Sequence, residues 1–127
     1  MIERYFKADH LKLIKGWLRD WKLEMDEETM SDVGFVIDNQ IAGFLLITNA
    51  KTAIIENFVC DPNLEKDKKE ELNVRLINIL TQEAVARGCK LVTLLAGRKP
   101  MVDRMEKLGW KNDGTYELYY RGLKCLG

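Results

Sequence analysis

The chain predicts an α+β fold: helices flanking a mixed, mostly antiparallel sheet of about six to seven strands, a three-layer α/β arrangement in one domain. Three observations lead there. Short alternating apolar segments separated by tight turns run from Gly34 to Cys60, the pattern of an antiparallel meander. From Ile54 to Ala96 the order is strand, long helix, strand, which is a right-handed parallel crossover. Ahead of the meander, apolar residues recur at helical spacing.

Ile2 to Phe6 is a short strand candidate. Asp9 is placed to cap a helix from His10 to about Trp21, with Leu11, Ile14, Trp17, Leu18 and Trp21 three and four residues apart. Both tryptophans are expected to pack in the core, a stacking platform for a ligand being the alternative. Lys22 to Asp32 is a polar connection carrying Glu24, Asp26, Glu27, Glu28 and Asp32, with Met25 and Met30 as anchors and room for a second short helix. It reads as a solvated surface or as an acidic loop attracting a cationic amine.

Gly34 to Ile37 and Ile41 to Thr48 are strands joined by Asp38-Asn39-Gln40, whose Asx residues tolerate the left-handed conformation of a hairpin turn. Asn49-Ala50-Lys51 is a second tight turn into the strand from Ile54 to Cys60, where Ile54, Glu56, Phe58 and Cys60 alternate with Ile55, Asn57 and Val59. Asp67 is expected to cap the long helix, with Glu70 three residues on. Leu72, Leu76, Ile79, Leu80 and Ala84 form its apolar face, and Arg87-Gly88 stops it. Leu91 to Ala96 is a near-continuous apolar run, as in a strand buried on both faces. Pro100 stands at a first helical position, Met101, Val102, Met105 and Leu108 line a short helix, and Gly109 ends it. Tyr116, Leu118 and Tyr120 alternate as a terminal strand with an exposed edge, so monomer and homodimer are both open.

Composition narrows the function. Twenty basic and twenty acidic side chains cancel, without the basic surplus of a nucleic-acid binder. No apolar run reaches the roughly 18 residues of a membrane span, and Met1 to Lys7 lacks the apolar core of a signal peptide. Cys60, Cys89 and Cys125 show no metal-like spacing and His10 is the lone histidine. Free thiols in a cytoplasmic protein, with no metal site, are expected. The chain carries neither a Walker motif nor a Gly-rich dinucleotide fingerprint.

Two local segments resemble a known family. Leu76 to Gly88, LINILTQEAVARG, looks like the central helix of the GNAT superfamily of N-acetyltransferases, ending in Ala-x-x-x-Gly at Ala84 and Gly88. Met105 to Trp110, MEKLGW, is similar to that superfamily's Tyr-Glu-Lys-Leu-Gly-Phe. Cys60-Asp61-Pro62 stands where the superfamily tends to have Val-x-Pro closing its fourth strand. The element order matches over essentially the whole chain.

The resemblance implies acetyl-CoA, or another acyl-CoA, as cofactor and an amine of a small molecule, peptide or protein as acceptor. It implies that two neighbouring parallel strands splay and that the pantetheine arm pairs with backbone groups of Phe58, Val59, Cys60 and Asp61. A backbone N–H near Val59 or Cys60 would stabilise the developing oxyanion. Because the amine must be neutral to attack, a base is useful, and Glu56 on the same strand is the candidate. The superfamily's phosphate loop reads Arg/Gln-x-x-Gly-x-Gly/Ala, and the register set by Ala84 and Gly88 puts Lys68, Glu71 and Asn73 on its three key positions. Lys68 and Asn73 are thus the cofactor candidates of that loop, and Arg98 can add positive charge from a neighbouring one. Two departures are marked. Glu71 brings bulk and negative charge where glycine lets phosphate approach the backbone. Met105 replaces the tyrosine that often protonates the leaving thiolate, with Tyr116, Tyr119 or Tyr120 as stand-ins. The alternatives to an acyltransferase are a GNAT-shaped interaction or regulatory module without coenzyme A, favoured by Glu71 and Asn73, and a generic α+β ligand-binding domain.

Overall fold

The computed structural model describes residues 1–96 and 98–114. They fall into two compact units, Met1–Leu95 and the residues from Ala96 onward. In the first unit β1 (Ile2–Arg4) leads to α1 (Lys7–Asp20) and a single 3-10 turn at Glu27–Thr29. Then come β2 (Gly34–Ile37), β3 (Ile41–Ile47), β4 (Thr52–Cys60), α2 (Lys66–Ala86) and β5 (Leu91–Leu94). The sheet runs β1-β2-β3-β4-β5, antiparallel throughout except for the parallel β4–β5 pair. These are five strands among the described residues; the expected terminal strand at Tyr116, Leu118 and Tyr120 lies outside them. The second unit's described element is α3 (Lys99–Lys107), with Pro100 at its second position rather than its first and a Lys99–Asp103 ion pair at 3.1 Å.

Both turns of the meander form as the residues require. Asp38 and Asn39 take positive φ and Gln40 N–H donates to the Ile37 carbonyl at 2.9 Å. Lys51 is left-handed in the second turn, where Thr48 N–H donates to the Thr52 carbonyl.

The sheet buries different residues on its two faces. On one, Ile14, Trp17 and Leu18 of α1 meet Val36, Ala42, Phe44 and Val59, with Tyr5 edge-on to Phe44 at 5.0 Å. Met25 and Met30 pack against this cluster, as anchors should. Gly43, between Ala42 and Phe44, faces the other way. A Cβ there would stand 2.5 Å from the Phe58 ring and 2.8 Å from a Leu76 methyl, so Phe58 and α2 cover the second face. Leu72, Leu76, Ile77 and Leu80 of α2 are fully buried. Arg4 joins β1 to α2 through a bidentate pair with Glu83 at 2.8 and 3.0 Å. That pairing, ahead of a second hydrogen bond from Arg87, holds the Glu83 carboxyl below its ordinary value.

Several sequence expectations shift. Helix α1 starts earlier, capped at Phe6; Asp9 lies inside its first turn, and the buried His10 accepts the Phe6 N–H at Nδ1, 2.9 Å away. An imidazole nitrogen one turn on thus does the satisfying that the Asp9 side chain was expected to do. Helix α2 likewise begins before Asp67, at Lys66 after Glu65. Strand β5 is not buried on both faces: it is an edge strand among the described residues, with Leu91 58% exposed. Cys60 is buried, as a small apolar residue would be, and Cys89 is half-buried.

Helix ends follow one rule with one exception. Gly88 and Gly109 take φ of 80° after α2 and α3, with Cys89 N–H donating to the Ala84 carbonyl and Trp110 N–H to that of Met105. These are Schellman motifs. Helix α1 ends the same way, Leu23 N–H to Leu18 carbonyl and Lys22 N–H to Arg19 carbonyl, but Lys22 occupies the left-handed position at φ 57°. A side chain there costs about 1–2 kcal/mol, more than the roughly 0.5–1 kcal/mol of chain entropy that glycine would add. Lys22→Gly is therefore expected to raise Tm by about 2–4 °C, read by thermal unfolding; an unchanged or lower Tm would show that the lysine relieves its own strain.

Candidate functional site

Strand β4 carries most of the candidate residues, and its two neighbours treat it differently. Its pairing with β3 continues to Cys60, opposite Ile41. Its pairing with β5 stops at Ile55, opposite Leu94. Five residues, Glu56 to Cys60, thus extend past the last rung on the β5 side, because β5 itself ends at Leu94; this edge of β4, unpaired with β5 beyond Ile55, is the wedge.

Which backbone groups face that wedge follows from the ladder. Asp61 N–H donates to the Gln40 carbonyl at 2.8 Å. Antiparallel alternation then turns Val59 toward β3, opposite Ala42, and turns the N–H and carbonyl of Cys60 away from β3 into the wedge. Of the two amides considered for an oxyanion, Cys60 is the one directed there. Its thiol is buried; burial pushes it up from its ordinary value, with Lys69 opposing and Asp61 reinforcing. Burial of this kind disfavours the thiolate and makes a thiol a poorer nucleophile.

A bulge decides where the side chains go. Glu56 lies opposite Phe44 and Val59 opposite Ala42, so two residues of β4 face Gly43 alone. Asn57 absorbs the extra residue with φ of 55°, a left-handed position that asparagine tolerates better than most residues. Glu56 and Val59 therefore share the α1 face although they are three apart, while Phe58 crosses to the α2 face. The simple alternation expected for 54 to 60, with Glu56, Phe58 and Cys60 on one side, is broken at Asn57. The sequence signal was available: asparagine is depleted in strand interiors and marks this one as irregular.

Glu56 is half-buried on the α1 face, and burial raises its carboxyl above the ordinary value. It makes no hydrogen bond or ion pair among the described residues. A carboxylate so placed is free to take a proton.

At the end of β4, Asp61 closes a turn, accepting the Asn63 N–H at Oδ1 and the Leu64 N–H at its carbonyl. Glu65 then enters α2 without a side-chain cap, which leaves the amides of Lys66, Asp67 and Lys68 without helical partners. Lys68 lies in this first turn, 3.7 Å from Glu71. Because α2 starts at Lys66, Glu71 and Asn73 are in its second and third turns, inside the helix and not in a loop before it. Asn73 is buried, and its side-chain amide donates to the Lys69 carbonyl at 2.9 Å. Asn73 therefore stands inside α2 and not in a loop before it. Arg98 belongs to the second unit, exposed, as the N-cap of α3.

Trp21 was expected in the core beside Trp17, but their fates differ. Trp17 is buried; Trp21 is 42% exposed. Its indole Nε1–H donates to the Cys60 carbonyl at 2.8 Å, and the Lys69 ammonium sits 5.4 Å from its ring centroid. Helical spacing predicted an inward direction, and the end of α1 at Asp20 removed the helix that would have enforced it. A broad concavity beside α1, lined by Lys15, Arg19, Lys22 and Asp26 among others, contains none of the other candidate residues. No helix among the described residues is long and apolar enough to cross a membrane.

No family model matches the chain, and no curated protein sequence matches it significantly. Solved structures do match. Glucosamine-6-phosphate N-acetyltransferase from Arabidopsis thaliana aligns with TM-score 0.68 at 16% identity, over 94% of this chain and 97% of that one. AAC(6')-Iy, in complex with the bisubstrate analog CoA-S-monomethyl-acetylneamine, aligns with TM-score 0.68 at 14% identity, over 97% and 98%. The ribosomal-protein-S18-alanine N-acetyltransferase from Escherichia coli aligns with TM-score 0.63 at 16% identity, over 86% and 76%. The fold is GNAT-like.

Proposed function

We propose that this GNAT-like chain transfers an acyl group, acetyl first among them, from acyl-coenzyme A to the amine of a small molecule, peptide or protein. The observation that carries this reading is the wedge: β4 keeps its partner β3 through Cys60 and loses β5 after Ile55. A strand edge left open on one side offers backbone donors and acceptors to an amide-bearing arm. Phe58, Val59, Cys60 and Asp61 form the stretch assigned to it, with Cys60 facing inward. The free amides of Lys66, Asp67 and Lys68 at the start of α2 suit the phosphates, with the Lys68 side chain beside them and Arg98 as a further cation of the chain. Acyl-coenzyme A, when bound, supplies the activated carbonyl that the amine attacks. Glu56 takes the amine's proton, directly or through water, as the C–N bond forms; the C–S bond breaks and the sulfur departs as thiolate, which the acidity of a thiol permits without a tyrosine donor. The Cys60 N–H is the donor assigned to the carbonyl oxygen. Two of the structural neighbours named above are N-acetyltransferases by name, and the acceptor class proposed here follows theirs.

A second reading has its own support. The first turns of α2 carry Asp67, Glu70 and Glu71 among their lysines, and the backbone positions that glycines would open are already helical. A GNAT-shaped interaction module without coenzyme A would look like this. Thermal unfolding with acetyl-CoA separates the two. A ligand that binds the folded chain alone adds about 2.7 kcal/mol at a hundredfold excess over Kd, a Tm rise of several degrees for a chain of this size. An unchanged Tm at millimolar acetyl-CoA would favour the interaction module.

A further inference from the structure

The indole of Trp21 lies where two faces of the sheet meet. It belongs to the end of α1, which packs on the face of Phe44 and Val59. It touches Lys69 of α2, the helix on the opposite face. Between these two anchors its Nε1–H bonds the carbonyl of Cys60, and that carbonyl is turned in the plane of the sheet toward the space β5 has left. The indole thus covers the Cys60 carbonyl at the unpaired edge of β4, with the Lys69 side chain reaching to it from α2.

We infer that Trp21 plugs the wedge in the free protein and swings out when an amide-bearing chain lies along β4. The inference rests on the proposed reading of the wedge as the coenzyme A site. Trp21 occupies the Cys60 carbonyl, an acceptor such a chain would use, so plug and ligand compete for one group. Its exposure and its place next to left-handed Lys22 give the side chain room to leave without unpacking Trp17 or Leu18. The Lys69 contact is also lost in the swing, and that ammonium at the start of α2 then becomes available to an anion.

The test compares coenzyme A binding to the wild-type chain and to Trp21→Phe by calorimetry. Phenylalanine keeps a ring near Lys69 and lacks the N–H donor. Losing one competing hydrogen bond should tighten binding by about three- to tenfold, and because the same bond is lost from the free protein, Tm in the absence of ligand should fall by about 2–6 °C. A second readout does not involve affinity: the Trp21 indole proton should exchange slowly in the free protein and rapidly once coenzyme A is added. Equal or weaker binding by Trp21→Phe, or an indole proton equally protected with ligand bound, overturns the plug and leaves the wedge reading standing. If neither protein binds coenzyme A, the wedge reading falls and the plug falls with it.

Discussion

Glu56→Gln is expected to lower turnover with acetyl-CoA and an amine acceptor by about 10²- to 10⁴-fold, the range in which a positioned base contributes. Affinity for coenzyme A should stay the same, because Glu56 faces the α1 side of β4 and not the wedge. Stability gives an independent check on the same residue. Burial raises the folded-state value of Glu56 above that of the unfolded chain. Its protonated form is therefore the one folding favours, and the stability this brings is present at low pH and lost as pH rises through the raised value. Glutamine mimics the protonated form at every pH. The variant should then be as stable as the wild type, or more so, at neutral pH while being nearly inactive. The wild-type rate itself should rise with pH along a limb displaced upward from an ordinary carboxylate, and this limb should vanish in the variant. Retained turnover, or a limb that survives the substitution, would remove Glu56 as base.

Gly43→Ala should destabilise the chain by about 1–3 kcal/mol, the usual cost of overpacking a filled core. The new methyl carbon meets the Phe58 ring at 2.5 Å and Leu76 at 2.8 Å, so at least one of them must move. Phe58 is half-buried and belongs to the bulge that brings Glu56 and Val59 to one face. A displaced ring would therefore disturb the site as well as the core. Leu76→Ala alone should cost about 2–5 kcal/mol through the cavity it leaves. Because Leu76→Ala vacates part of the space that the alanine at 43 needs, the double substitution should cost less than the two singles together, by about 0.5–3 kcal/mol. Urea unfolding of the four proteins measures this directly. Strict additivity would mean that the sheet, and not the side chains, absorbs the new methyl.

Much of this molecule could be read along the chain because its causes are local. Asp38-Asn39 and the residues around Lys51 made turns since Asx and exposed polar residues accept the left-handed backbone there. Leu72, Leu76, Leu80 and Ala84 formed a buried stripe since one helical period repeats along them. Gly88 and Gly109 stopped helices since both are free to take positive φ. Glu56 and Cys60 could be placed on one strand, whereas α2 starts at Lys66, ahead of the Asp67 expected to cap it.

What the chain alone fixed, then, was the order and kind of its elements, each set by the conformational limits and hydrophobic period of residues near one another in sequence. The tertiary structure decided three things: that β4 outruns β5 from Ile55 onward, to which face Glu56 and Phe58 turn on either side of Asn57, and that Trp21 leaves the core for the Cys60 carbonyl. Each depends on the register of a strand, or the end of a helix, against a partner a dozen or more residues away, and side-chain periodicity within one segment carries no record of that partner.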